Sequence, residues 1–141
     1  MADWSGFVRG MRDAEISGFE QGWIADRARA AGIPVLDDED LSGLAGRCDI
    51  VTAIEVIEHI PDPHEFFRTA KRLLKPGGLL FLTTGNAEPV RDLATWSYVT
   101  PEIHVSFFEP RTIVGLLERH GFHAERRGFL RGIATSSDSK S

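Results

Sequence analysis

The chain has 141 residues, 42% of them hydrophobic and 26% charged, with a formal net charge of -5. That length fits one domain with a real core, and the acidic balance argues against a general nucleic-acid-binding surface. The single cysteine, Cys48, excludes an internal disulfide and a cysteine-rich metal site, so a reducing cytoplasm is the simplest compartment. No run approaches the roughly 18 apolar residues of a membrane span. The opening "MADWSGFVRGMRD" has no continuous apolar stretch of a secretory leader.

In chain order, Gly6–Ala14 predicts a short helix weakened by Gly10, and Glu15–Glu20 a short strand ending in an acid. Gln21–Gly32 places Trp23, Ile24, Ala28 and Ala31 at helical spacing, with Gly32 as a stop. "IPVL" predicts a brief strand, and "DDEDLSGLAGR" an acidic loop or one helical turn. "CDIVTAI", Cys48–Ile54, is a continuous apolar run expected of a strand buried on both faces. Asp62–Leu74 is the strongest helix: Asp62 caps it, Pro63 suits its first turn, and Phe66, Phe67, Ala70, Leu73 and Leu74 share a face. Lys75–Gly78, "KPGG", should end it in a tight turn, before a buried strand over Leu79–Thr84. Residues 85–108 predict a long polar and aromatic loop with a turn of helix around Val90–Trp96. Glu109–Gly121 predicts another helix, and "FHAERRGFLRGIA" one or two terminal strands. The last residues, 135–141, predict a disordered polar tail after a single domain over 1–134.

Strands alternating with helices imply βαβ units and a mostly parallel, twisted sheet. Ligands of such sheets sit beyond the carboxyl ends of the strands. Those ends are Glu20, Asp37–Asp40, Glu55–His59 and Thr84–Asn86, so the polar residues collect where a ligand would lie.

"CDIVTAIEVIEHIPDPHEFFRTAKRLLKPGGLLFLTT" followed by "HVSFFEPRTIVGLLERHGF" resembles the second half of class I S-adenosylmethionine-dependent methyltransferases. The similarity is to the EHxxDP…LKPGG group that includes ubiquinone-biosynthesis O-methyltransferases. The resemblance implies a Rossmann-like α/β fold with helices on both faces of the sheet. It also implies methyl transfer from S-adenosylmethionine to a small acceptor, most readily at oxygen. The family's glycine-rich loop, D/E-x-G-x-G-x-G, follows its first strand. Here "SGF" aligns with the last glycine, Gly6, so the first strand and earlier glycines are missing. That departure predicts unpaired sheet edges and raises a homodimer that fills the gap. It also keeps open a different reading, a non-catalytic remnant or interaction module that has lost cofactor binding.

By the same resemblance, Gly6, Glu20, Asp38, Ile54 and Glu55 fall at cofactor-binding positions. Glu20 matches the acid on the ribose hydroxyls and Asp38 the acid on the adenine amino group, although an acidic loop capping a helical turn accounts equally for Asp38. Glu55, Glu58 and His59 form E-x-x-E-H, and on a helical turn positions i, i+3 and i+4 share a face. The resemblance makes these three a candidate site for magnesium, manganese or zinc, with His104 as a fourth ligand. The alternative is that the glutamates orient backbone or substrate groups while His59 packs beneath the cofactor. His104 and His59 are the candidate catalytic bases. Trp96, Tyr98, Phe107 and Phe108 could wall an acceptor pocket, and simple core packing suits the two phenylalanines better.

Overall fold

Helix-stop glycines and a helix-capping aspartate set the element boundaries. The structure, a computed structural model, describes residues 13–20, 22–100, 102–127 and 131–136. It divides into two units, one ending at Leu44 and the other beginning at Ala45.

In the first unit, β1 (Gly18–Phe19) pairs in parallel with β2 (Val35–Leu36), joined by helix α1 (Gly22–Ala30). Gly32 stops α1 at φ +77, where the Gly32 and Ile33 N–H groups reach back to Arg29 and Ala28 carbonyls. Among the described side chains of α1, Ala25 is buried, whereas Ile24, expected at helical spacing with Trp23, Ala28 and Ala31, is exposed. A pair of two-residue strands offers little surface for a wider helix face to cover. Helix α2 (Asp38–Gly43) follows β2 directly. Of the helix expected over Gly6–Ala14, residues 6–12 lie outside the described residues, and Asp13 and Ala14 are not helical.

The second unit carries a four-stranded sheet in the order β3-β4-β6-β5, from β3 (Cys48–Ile54), β4 (Leu74–Thr83), β5 (Phe122–Arg127) and β6 (Arg131–Ser136). β3 and β4 are parallel, connected by helix α3 (Pro63–Leu73); β6 runs antiparallel to both β4 and β5. Helix α4 (Pro110–Arg119) leads into β5. The expected α/β architecture with parallel strands is present, and its far half is antiparallel. Asp62 caps α3 as expected, its carboxylate accepting from the His64 N–H at 2.9 Å. Phe67 is fully buried and packs with Ile57, Ala70, Leu80, Leu82, Phe108, Leu117 and Phe122 in the core. Burial of such a side chain contributes about 1.5–3 kcal/mol.

Three expectations need correction. β3 is not buried on both faces: Ala53 is the one fully buried residue of its seven, and Ile50 is 47% exposed. The cause is its place at the edge of its sheet, where one side has no ladder partner among the described strands. Lys75–Gly78 is not a free turn but an irregular part of β4. Between the pairs Cys48↔Leu74 and Ile50↔Leu79 the β4 chain advances five residues against two in β3. Gly77 takes φ +75 within that excursion. Finally, Thr135 and Ser136 belong to β6, opposite Leu79 and Phe122, because a ladder needs only backbone groups. Residues 137–141 lie outside the described residues.

Candidate functional site

The polar cluster begins where β3 ends. Glu55 has φ +54, a left-handed conformation that a side chain with a Cβ rarely adopts. The backbone then turns sharply into a single 3₁₀ turn over Ile57–His59. The Glu55 N–H still donates to the Thr83 carbonyl at 3.0 Å, so the turn hangs directly on the β3–β4 ladder. This geometry overturns the expected helical face shared by Glu55, Glu58 and His59. Glu55 precedes the turn, and its reversed backbone sends the carboxylate toward the end of β4.

There Glu55 accepts from the Thr83 hydroxyl at 2.9 Å and from the Tyr98 hydroxyl at 2.6 Å. Glu58, only 1% exposed, accepts from the Thr84 hydroxyl at 3.0 Å and from the same Tyr98 hydroxyl. The Gly85 N–H donates to the Tyr98 oxygen at 2.9 Å. One phenol therefore joins two carboxylates and the end of β4, with a single proton for two acceptors. Burial first, and then these bonds to Glu55 and Glu58, push the Tyr98 phenol well above its ordinary value.

The histidines complete the arrangement. The His59 Nδ1 lies 2.9 Å from the Ile103 carbonyl. A carbonyl only accepts, so Nδ1 carries the proton and the Nε2 lone pair is left for other work. The His59 and His104 rings meet edge to face at 4.7 Å. The His104 Nδ1 is buried and has no hydrogen-bond partner among the described residues. Glu58, His59 and His104 can each offer one ligand atom, all within 4.8 Å of one another. Glu55 is not in that group, which corrects the four-ligand expectation. The loop bearing His104 is pinned to the 3₁₀ turn, since the Val105 and Ser106 N–H groups donate to the Glu58 carbonyl at 2.8 and 3.2 Å.

Trp96 stacks on Tyr98 at 4.8 Å, and Phe107 lies 6.0 Å from Trp96 and 6.4 Å from His104. Phe108 is buried in the core as expected, but Phe107 is half-buried and belongs to this aromatic cluster. The phenol of Tyr98 is the functional group that sequence reasoning missed. Tyr98 is the chain's only tyrosine, in a loop without periodicity, and no spacing in the sequence marks its hydroxyl.

In the first unit, Glu20 and Asp38 line one cleft of about 380 Å³, with Phe19, Ala25, Arg29 and Leu36 among its other walls. Asp37 caps α2 by accepting from the Asp40 N–H at 2.8 Å, and Asp40 returns the bond at 3.3 Å. The capping therefore falls to Asp37 and Asp40, and Asp37 lines the cleft together with Asp38. Ile54, half-buried, is the last residue of β3, next to Glu55. Gly6 lies outside the described residues.

A profile of the methyltransferase domain family matches residues 9–126. The chain belongs to that family. More closely, it is a class I S-adenosylmethionine-dependent methyltransferase domain. It is 49% identical over 53 residues to the ubiquinone biosynthesis O-methyltransferase of Caulobacter vibrioides, covering 38% of this chain and 21% of that one. It is 37% identical over 81 residues to the enzyme of the same name from Bordetella avium, covering 57% of this chain and 32% of the relative. The matches thus span a third or less of these relatives' length. Among solved structures, an S-adenosylmethionine-dependent methyltransferase from Mesorhizobium loti superposes with a TM-score of 0.67 at 19% identity, over 94% of this chain and 85% of that one. The 1,6-didemethyltoxoflavin-N1-methyltransferase of Burkholderia thailandensis, solved with its acceptor and S-adenosylhomocysteine, gives 0.66 at 15% identity, over 96% and 66%. At those identities the likeness is of fold. No helix of this methyltransferase domain is long and apolar enough to cross a membrane, among the described residues.

Proposed function

We propose that this methyltransferase domain takes part in methyl transfer from S-adenosylmethionine to an oxygen atom of a small acceptor. The reading rests on the carboxylate and imidazole cluster at the carboxyl ends of β3 and β4, where an α/β sheet binds its ligand, in a chain matched by O-methyltransferases. When bound, the cofactor supplies a methyl group already activated by a sulfonium. The chain's own work is then recognition, alignment and proton handling. Glu20 and Asp38 fit a nucleoside. Carboxylates only accept hydrogen bonds, which suits the ribose hydroxyls for Glu20 and the adenine amino group for Asp38, and both line one cleft. Ile54 and Glu55, at the carboxyl end of β3, are the cofactor contacts that the family resemblance assigns to the second unit. His59, with Nδ1 held by Ile103, presents Nε2 as the base that takes the acceptor hydroxyl's proton. His104 shares that role across the 4.7 Å ring contact. Trp96 and Phe107 keep water from the acceptor.

A second reading adds a divalent cation, favoured by one observation: the unpartnered, buried His104 Nδ1 beside Glu58 and His59. The fit extends to the carbonyl behind His59, the usual orienting partner of a metal-bound imidazole. A mixed nitrogen and oxygen donor set suits zinc or manganese better than magnesium. Such a cation would lower the pKa of an acceptor hydroxyl.

Isothermal titration with S-adenosylmethionine tests the first reading. Saturable binding, with S-adenosylhomocysteine competing, supports it. No heat at millimolar cofactor sinks it for this chain and leaves the interaction module. Repeating the titration with Mn²⁺, on the chain as it stands and on His104→Ala, tests the second reading. Equal affinity in both forms removes His104 from any cation site.

A further inference from the structure

The geometry points to Tyr98 as the positioning residue of the Glu58–His59–His104 site, its phenol and ring holding Glu58 and His104 in the arrangement that receives a divalent cation. The inference rests on the cation reading above and goes beyond it, because Tyr98 is in neither the E-x-x-E-H motif nor the ligand set. Three observations carry it. First, the hydroxyl bonds Glu58 directly, while Thr84 holds the other carboxylate oxygen at 3.0 Å. Each oxygen thereby gives one lone-pair direction to a protein donor and keeps one free, so the carboxylate can bind a cation without rotating. Second, the ring of Tyr98 lies 4.8 Å from the ring of His104, on the imidazole whose Nδ1 is buried without a partner. The same side chain therefore bounds two of the three ligands. Third, Tyr98 is itself fixed. Its oxygen accepts from the Gly85 N–H, its ring stacks on Trp96, and it presses so closely on Gly85 that a Cβ there would meet the ring at 2.4 Å.

A side chain held on three sides, touching two ligands and binding no cation itself, does what outer partners do at metal sites: it sets the ligands' orientation in advance. Loss of such a partner typically weakens cation binding by about 10- to 100-fold. Glu55 shares the same hydroxyl, which ties the strand end to the site through one phenol.

The test is a Mn²⁺ titration by calorimetry on the full chain and on Tyr98→Phe, which keeps the ring contacts and removes only the hydroxyl. The expected result is a 10- to 100-fold weaker Mn²⁺ affinity with an unchanged circular dichroism spectrum. Equal affinity in the two proteins overturns the role of Tyr98 and leaves the cation site standing. No Mn²⁺ binding by the unaltered chain overturns the cation reading, and Tyr98's role with it. Should the phenylalanine variant fail to fold, a second measurement decides. Because the chain has one tyrosine, biosynthetic 3-fluorotyrosine places a single ¹⁹F probe at position 98 with the hydroxyl intact. A resonance that shifts during Zn²⁺ titration, with the calorimetric midpoint, supports the assignment, and one that stays fixed at saturation overturns it.

Discussion

Replacing Gly85 by alanine should unseat Tyr98, and the cost follows from distances. A Cβ at position 85 would lie 2.4, 2.6 and 2.7 Å from three carbons of the Tyr98 ring, against an ordinary carbon contact of about 3.5–4.0 Å. The ring must retreat by roughly 1 Å. The hydroxyl contacts of 2.6 Å to Glu55 and 2.9 Å from Gly85 would then stretch beyond hydrogen-bond range. Overpacking costs about 1–3 kcal/mol, and each bond lost to a carboxylate about 1.5–3 kcal/mol. These contributions overlap, so the expected loss is about 3 kcal/mol, a drop in thermal midpoint of roughly 10 °C for a chain of this size. Urea unfolding of Gly85→Ala, Tyr98→Ala and the double variant measures it. The backbone at Gly85 is not left-handed, so without the ring alanine should be harmless or stabilising by about 0.4–1 kcal/mol. The effect of Gly85→Ala should therefore shrink or change sign in the Tyr98→Ala background. Additive losses would refute the contact as its cause.

Three other outcomes are expected. Glu20→Gln should weaken S-adenosylmethionine binding by about 10-fold or more, as expected for a charged hydrogen-bond acceptor, read by calorimetry; unchanged affinity removes Glu20 from the cofactor cleft. Phe67→Ala should destabilise by about 3–5 kcal/mol, since the ring is fully buried; a loss under 1 kcal/mol in urea melts, well short of that range, would show that the core closes around the gap. Stability should also fall in mild acid through His120. Burial first, then the neighbouring His64 and Arg68, hold its imidazole below the ordinary value, with Asp62 opposing. The unfolded chain thus takes up a proton near pH 6.5 that the folded chain resists. The contribution is present above about pH 6.5 and declines as the pH drops toward the folded value. His120 stacks on Phe67 and its Nε2 lies 3.0 Å from His64 Nδ1. Thermal melts across this range should lose their slope in His120→Gln, and an unaltered slope would clear His120.

What could be read from the sequence was what local chemistry decides alone. Asp62 and Pro63 marked the start of α3 because an acceptor side chain and a fixed φ act within one turn. Gly32 and Gly121 stopped helices because their backbones are left-handed. Cys48–Ile54 was recognisable as a strand from its apolar run, yet its exposure was not, since that depends on strand order. In the site, Glu58, His59 and His104 were foreseeable as a group from a known motif. The separation of Glu55 was hidden, because no neighbouring residue announces a left-handed glutamate. The hydroxyl of Tyr98 was hidden for another reason: its partners lie 13, 40 and 43 positions away, and a loop without period carries no sign of such pairings.

The left-handed backbone at Glu55 sets local strain against the bonds that its carboxylate makes. That conformation costs a residue with a Cβ roughly 1–2 kcal/mol, and glycine would relieve it while deleting a carboxylate held by Thr83 and Tyr98. At about 1.5–3 kcal/mol for each bond to a carboxylate, the two bonds outweigh that relief, so Glu55→Gly should be less stable than the parent. A library screened only for thermal endurance would then keep glutamate here, strain included. Glutamate at position 55 would then report on the fold before it reports on a ligand.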